Sequence, residues 1–219
     1  MKDIYVILSA TPTKMGKIIR TLTRYELNHT SISLTENLTE MYSFARYRAA
    51  NPLVGGFVKE FPQRLSLGKN RDIYIKVYKI PVNNMKYNNI KSFINDMKND
   101  KEENIYNSLD ALGYLFGWHF NAYKAHTCSS FVVKSLCEGD IIVNLNASRN
   151  VLIREIEKLL KKHIYYSGSL SDYTPAKGST FDTKDFYEKT SFKKEMQRTF
   201  YHFYSLFKRN RKWYRLHSK

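Results

Sequence analysis

Cysteine is scarce in this chain: its 219 residues hold two, Cys128 and Cys137. Nine positions apart and expected on successive turns of one helix, they are poorly placed to bridge each other, which excludes a disulfide-stapled scaffold. Metal-ligand spacing is missing too, because His119, His163, His202 and His217 stand in no zinc-site relation to the two thiols. No run of eighteen apolar residues occurs, so no segment reads as a membrane-crossing helix. Glycine-rich phosphate loops and internal repeats are also lacking, and Gly55-Gly56 reads as a turn. The start, Met1-Lys2-Asp3-Ile4-Tyr5-Val6, passes straight into a strand with no apolar leader and no small-residue cleavage site. The expectation is a reduced, cytoplasmic protein that needs no cofactor and no metal.

What the chain does have is a thiol in a telling place. Ala125-His126-Thr127-Cys128-Ser129-Ser130-Phe131-Val132-Val133-Lys134-Ser135-Leu136 is a polar turn running into an amphipathic helix, with Cys128 at its mouth. The first turn of a helix leaves backbone N–H groups unpaired and carries the positive end of the macrodipole, a setting that favours the anionic form of a cysteine. A thiolate nucleophile needs a base. The best candidate is His29 in Asn28-His29-Thr30-Ser31-Ile32-Ser33-Leu34, where hydroxyl and aliphatic residues alternate as in a half-buried strand. Cys137 reads as a small core hydrophobe on the same helix.

A histidine strand followed about a hundred residues later by a cysteine helix resembles the circularly permuted branch of the NlpC-type papain-like cysteine hydrolases. The likeness runs from residue 1 to about 175 and takes in a strand over 3–9, a helix over 16–20, the His29 strand and His126-Thr127-Cys128-Ser129-Ser130-Phe131-Val132. Met41-Tyr42-Ser43-Phe44-Ala45-Arg46 and Gly55-Gly56-Phe57-Val58-Lys59-Glu60 look like one bacterial subgroup of that branch. The resemblance implies an α+β, circularly permuted papain-like fold, with an antiparallel sheet packed against the cysteine-bearing helix. It also implies a thiol hydrolase, either an amidase or peptidase or an acyltransferase. In that chemistry Cys128 attacks a carbonyl, while His29 takes the thiol proton and later gives it to the leaving group.

Papain-like sites add a third polar residue that orients the imidazole. In the permuted branch it comes from the strand after the histidine, which implies Ser43 here, with Glu40, Glu60 and His126 as substitutes. His126, two residues before the thiol, has three open readings: a donor to substrate, a support for the thiolate, or a solvent-facing side chain. A cytoplasmic setting argues against wall-peptide cleavage, the commonest work of the NlpC-type relatives. Lecithin:retinol acyltransferase-like relatives move lipid acyl chains with the same pair of residues, so the expected substrate is acyl, peptide or lipid.

Between the two halves of the site, a strand over 72–80 is expected to end at Pro81. Helices are expected over 89–97, 107–116 and 152–162. In the second, Leu109, Leu112, Leu115 and Phe116 are expected to pack under the Cys128 helix, with Trp118 toward a cleft. The turn-rich stretch 167–179 marks the end of the catalytic fold, giving a domain over residues 1–178 and a basic amphipathic extension over 179–219.

Acidic residues are few, 20 against 36 Lys and Arg, and the net charge is +16. From Lys184 onward eleven basic residues face three acidic ones, which places half of that excess in the last sixth of the chain. Phe192, Met196, Phe200, Phe203 and Phe207 recur at helical spacing there. A basic amphipathic helix of this kind reads as an element on an anionic membrane surface or as a helix docked on the domain with a solvated basic side. No nucleic-acid-binding motif accompanies the charge, so nucleic acid is not the expected partner. The competing reading of the whole chain is a catalytically inactive basic binding module on the same fold, touching anionic lipid or another polyanion.

Overall fold

Strict alternation builds the centre of the molecule. In β1 (Lys2–Ser9), Ile4, Val6 and Leu8 enter one core and Tyr5 and Ile7 another, so both faces of the strand are buried. The computed structural model describes residues 1–67, 72–113, 116–142, 151–174 and 184–218. β1 lies between β2 (His29–Ser33) and β5 (Tyr74–Val82), antiparallel to both. The other strands are β3 (Met41–Arg48), β4 (Asn51–Glu60), β6 (Ile105–Tyr106), β7 (Ala125–His126) and β8 (Ile164–Ser169). Among the described residues they form one eight-stranded sheet in the order β7-β6-β4-β3-β2-β1-β5-β8. The one parallel pair in it is β6 with β7. The fold is therefore α+β around a mostly antiparallel sheet.

β5 runs through Pro81 to Val82 rather than stopping before the proline. Its pairing with β8 ends at Tyr78, so Pro81 sits where one side of β5 has no neighbouring strand in the sheet, a place that tolerates a residue without an N–H.

Short helices α1 (Lys14–Thr23), α2 (Pro62–Leu65), α7 (Leu170–Tyr173) and α8 (Lys184–Tyr187) lie among the connections, and three others cover the first core: α3 (Asn84–Asn99), α5 (Cys128–Glu138) and α6 (Ile153–Leu160). Phe131 of α5 is fully buried, its ring centre 5.3 Å from Phe44, 5.6 Å from Phe57 and 6.0 Å from Phe93. That anchor fixes α5 against β3 and β4, and with it the position of Cys128 one turn away. Cys128 and Cys137 form no disulfide, and Cys137 packs partly buried against the first core. The opposite face of the sheet is closed by a smaller cluster of Met41, Leu65, Ile75, Val77 and Leu170.

The segment after β6 departs from expectation. α4 spans Ser108–Gly113, six residues, and Leu109 packs toward Ile105 and Ala122 rather than under α5. Phe116 is exposed, Gly117 takes a positive φ of 73°, and Trp118 packs over Gly113; Leu115 lies outside the described residues.

The C-terminal helix, α9 (Phe192–His217), docks on the domain through a face that the later part of the aromatic stripe reaches: Phe203 packs against the cluster of Ile105 and Ala122, and Phe207 sits edge-on to Phe120 at 5.6 Å. His202 and Leu206 are buried: Leu206 joins Ile105 and Ala122, and His202 Nε2 lies 2.8 Å from the Tyr106 carbonyl. Arg209 donates to the Glu103 carbonyl at 2.6 Å, and Asn210 to that of Asn121 at 2.6 Å. Phe192, Met196, Phe200 and Phe207 remain 82, 54, 71 and 54 % exposed. The boundary between residues 178 and 179 lies outside the described residues. Among the described residues no helix is long and apolar enough to cross a membrane.

Candidate active site

The mouth of α5 is held by a reciprocal cap. Thr127 Oγ1 accepts from the Ser130 N–H at 3.2 Å, and Ser130 Oγ accepts from the Thr127 N–H at 2.9 Å. Cys128 is thereby fixed as the first helical residue, with the unpaired N–H end of the helix around it.

His29 opens β2, across from Ser9. Its Nε2 meets both oxygens of Glu60, at 3.1 and 3.0 Å, and its ring lines the same cavity as Cys128, close enough for Cys128 to help raise its pKa. With Nε2 committed to the carboxylate, Nδ1 is the nitrogen free of it. Glu60 closes β4 and has 3 % side-chain exposure; Ser31 Oγ donates to it, and Arg64 Nε stands 4.0 Å away. Burial opposes charge on both members of the pair. On His29 the Glu60 carboxylate and the nearby Cys128 prevail over burial and hold the imidazole pKa up at about 10. On Glu60 burial is likewise overcome, chiefly by the His29 charge, and the carboxyl titrates below its ordinary range. At neutral pH the site holds an imidazolium clamped by a carboxylate.

Ser43 does not orient His29, which corrects the expectation drawn from the strand after the histidine. Its buried hydroxyl donates to the Thr30 carbonyl at 3.0 Å. The cause is local: β2 and β3 pair at Ile32–Tyr42 and Ser33–Met41 and no further, so the Thr30 carbonyl is left for the neighbouring hydroxyl. The orienting role passes one strand on, to Glu60. Glu40 acts on Tyr42 and Tyr87, whose hydroxyls burial first and this carboxylate second keep protonated. His126 is half-buried: its ring packs edge-on against Phe44 at 5.0 Å, and burial, reinforced by Lys134, drives its pKa down to about 3.

Cys128 stands in the wall between two small cavities. One, of about 90 Å³, is lined by His29, Glu60, Arg46, Arg64 and Tyr106. The other, of about 70 Å³, is largely apolar and is lined by Ile19, Leu27, Val151 and Ile153, again with Tyr106. Burial, then the nearby Cys128, raises the Tyr106 pKa. Arg64 donates to the Arg46 carbonyl and lies 4.2 Å over the Phe186 ring. Arg46 makes a single long bond, 3.4 Å, to the Ala49 carbonyl. Burial lowers the pKa of both guanidinium groups.

Arg46, Arg64 and Tyr106 went unnoticed in the sequence. Arg46 had a signal: it continues the period-2 series Tyr42, Phe44, so a cation falls where alternation asks for an inward residue. Tyr106 carries no such mark. Among the described residues no group of three His, Cys, Asp or Glu side chains is placed to hold a metal ion. No protein-family model matches the chain, and neither a curated protein nor a solved structure matches it.

Proposed function

We propose that this chain is a thiol-dependent acyl-transfer enzyme, a hydrolase or acyltransferase acting on an amide, ester or thioester, on a circularly permuted papain-like fold. The observation that carries the proposal is His29, bonded to Glu60 through Nε2, sharing one cavity wall with Cys128 at a helix mouth. The order of the parts supports the permuted fold: histidine strand first, cysteine helix later, and an antiparallel sheet beneath that helix.

The Cys128 sulfur attacks the carbonyl carbon and forms the C–S bond, while the backbone N–H of Cys128 helps to hold the oxyanion. As the tetrahedral intermediate collapses, the bond to the leaving group breaks and His29 hands that group its proton. Water or a second acceptor then attacks the thioester, its proton goes to His29, and the sulfur leaves as an anion. Glu60 keeps the ring oriented and stabilises its charge throughout.

A hydroxyl such as that of Ser43 in the third position would favour the catalytically inactive module; a carboxylate on Nε2 supports the enzyme reading instead. The test is intact-mass analysis after incubation with cell extract or with a panel of acyl thioesters. An acyl adduct confined to Cys128, and absent from Cys128→Ala, is the expected result. A chain that stays unmodified by every acyl donor would return the reading to the inactive module.

A second feature bears on where the enzyme works. The exposed side of α9 presents Phe192, Met196, Phe200 and Phe207 beside Lys193, Lys208, Arg211 and Arg215. Aromatic groups flanked by cations suit an anionic lipid surface, and we propose that α9 rests on one.

A further inference from the structure

We infer that the cavity beside Cys128 receives an acyl substrate bearing an anionic group, which Arg46 binds with Arg64 at its side. The inference rests on the acyl-transfer reading of Cys128 and His29 and specifies its substrate. Its first support is contrast. Lys76 has Glu26 and Glu157, Lys124 has Asp100 and Glu103, and Arg48 has Glu188, while Arg20 and Arg209 donate to oxygens of neighbouring residues at 2.5–2.8 Å. Arg46, largely withdrawn from water, has no carboxylate partner among the described residues, and it uses one of five donors in a 3.4 Å bond. A guanidinium taken out of water without a counter-charge is costly, and a planar or tetrahedral anion is the ligand its fork fits.

The second support is the local charge. His29, Arg46 and Arg64 line the cavity against the single carboxylate of Glu60, so the wall carries an excess of two positive charges at neutral pH, one of which remains when the sulfur is anionic. At about 90 Å³ the space takes a carboxylate or a phosphate group. The apolar cavity across the sulfur, with Ile19, Leu27, Val151 and Ile153, is shaped for the remainder of the substrate. The reacting carbonyl thus lies between an anionic end and an apolar end.

Iodoacetate and iodoacetamide test this directly, since they are nearly the same size and differ in charge. In each case the sulfur displaces iodide and forms one S–C bond. Cys137, in the same chain, serves as reference. The ratio of the iodoacetate rate to the iodoacetamide rate is expected to be on the order of tenfold higher at Cys128 than at Cys137. Arg46→Gln should bring the Cys128 ratio down toward the reference, and Arg46→Lys should restore part of it, which separates Arg46 from the attraction of His29 itself. In the wild type at fixed ionic strength, sodium acetate and inorganic phosphate should slow iodoacetate labelling of Cys128 and spare Cys137. Whichever acts at lower concentration tells a carboxylate from a phosphate substrate. Equal ratios at the two cysteines, a ratio unmoved by Arg46→Gln, or no protection by either anion would overturn the inference. Failure of the Cys–His reading shows elsewhere, as an iodoacetamide rate at Cys128 unaffected by His29→Ala.

Discussion

Glu60→Gln removes one charge from the centre of the site and keeps its shape. The gap between the ordinary histidine value of 6.5 and about 10 corresponds to about 5 kcal/mol in favour of the charged ring. Burial opposes that charge, so Glu60 and Cys128 together supply more than the net figure. A carboxylate at hydrogen-bond distance shifts a neighbour by about one to three pH units, so Glu60→Gln is expected to lower the His29 value by about two, or roughly 3 kcal/mol. Proton NMR of the His29 ring reads the midpoint directly. Iodoacetamide labelling of Cys128 at about pH 9, where the charged fraction of the ring falls roughly tenfold between midpoints of about 10 and about 8, reads the consequence and should fall with it. Ser43→Ala is the contrasting variant. Its hydroxyl bonds the Thr30 carbonyl, so it should lose about 1 kcal/mol of stability while labelling stays within about twofold. A His29 midpoint still near 10 in Glu60→Gln, with unchanged labelling, would show that the carboxylate does not hold the imidazolium.

The same pair makes stability depend on pH in a defined direction. His29 titrates higher folded than unfolded, so its contribution is complete below about 6.5 and is lost as pH rises toward about 10; Glu60 titrates lower, so its contribution is present above about 4.5 and is lost as pH falls below that. The gap in urea midpoint between wild type and His29→Gln should therefore be larger at pH 6 than at pH 10, and a constant gap would refute the assignment. For α9, truncation at residue 208 would also remove the docking contacts of Arg209 and Asn210, so point changes on the exposed face are the cleaner probe. Phe200→Ser with Lys193→Glu should weaken binding to anionic vesicles by at least tenfold and leave Cys128 labelling unaffected, because Lys or Arg near such a surface contributes about 1 kcal/mol each. Equal binding of both proteins at low salt would rule out a membrane role for that face.

The parts of this molecule that follow a period were readable in advance. β1, β2 and β5 alternate, and the mouth of α5 carries its Thr127–Ser130 cap in plain view. The third site residue was not readable by position, because which strand delivers a side chain to His29 depends on where the β2–β3 ladder stops. Nothing local announces that stop. The docking of α9 was hidden for a related reason. The stripe that touches the domain reads Glu195, Thr199, His202, Leu206, Arg209, mostly polar groups that bond partners on other elements or neighbours on their own helix, while apolar periodicity picks out an adjacent stripe of which Phe203 and Phe207 reach the domain. Arg46 broke an inward series with a charge, a conflict of local rules of the kind that gathers at functional sites.

His29 and Glu60 sit on strands linked through successive neighbours, β2, β3 and β4, all within the first sixty residues, whereas the sulfur lies ninety-nine positions beyond the histidine. At a synthesis rate of about 5–20 residues per second, roughly 5–20 s pass between the two on the ribosome. For that interval the growing chain carries a base with its carboxylate and no nucleophile. When Cys128 is finally made, α5 must find its seat on a sheet whose long-range pairings fold slowly. The three side chains therefore come together only once the layers have closed around Phe131, and a ribosome that stalls before α5 releases a product in which they never meet.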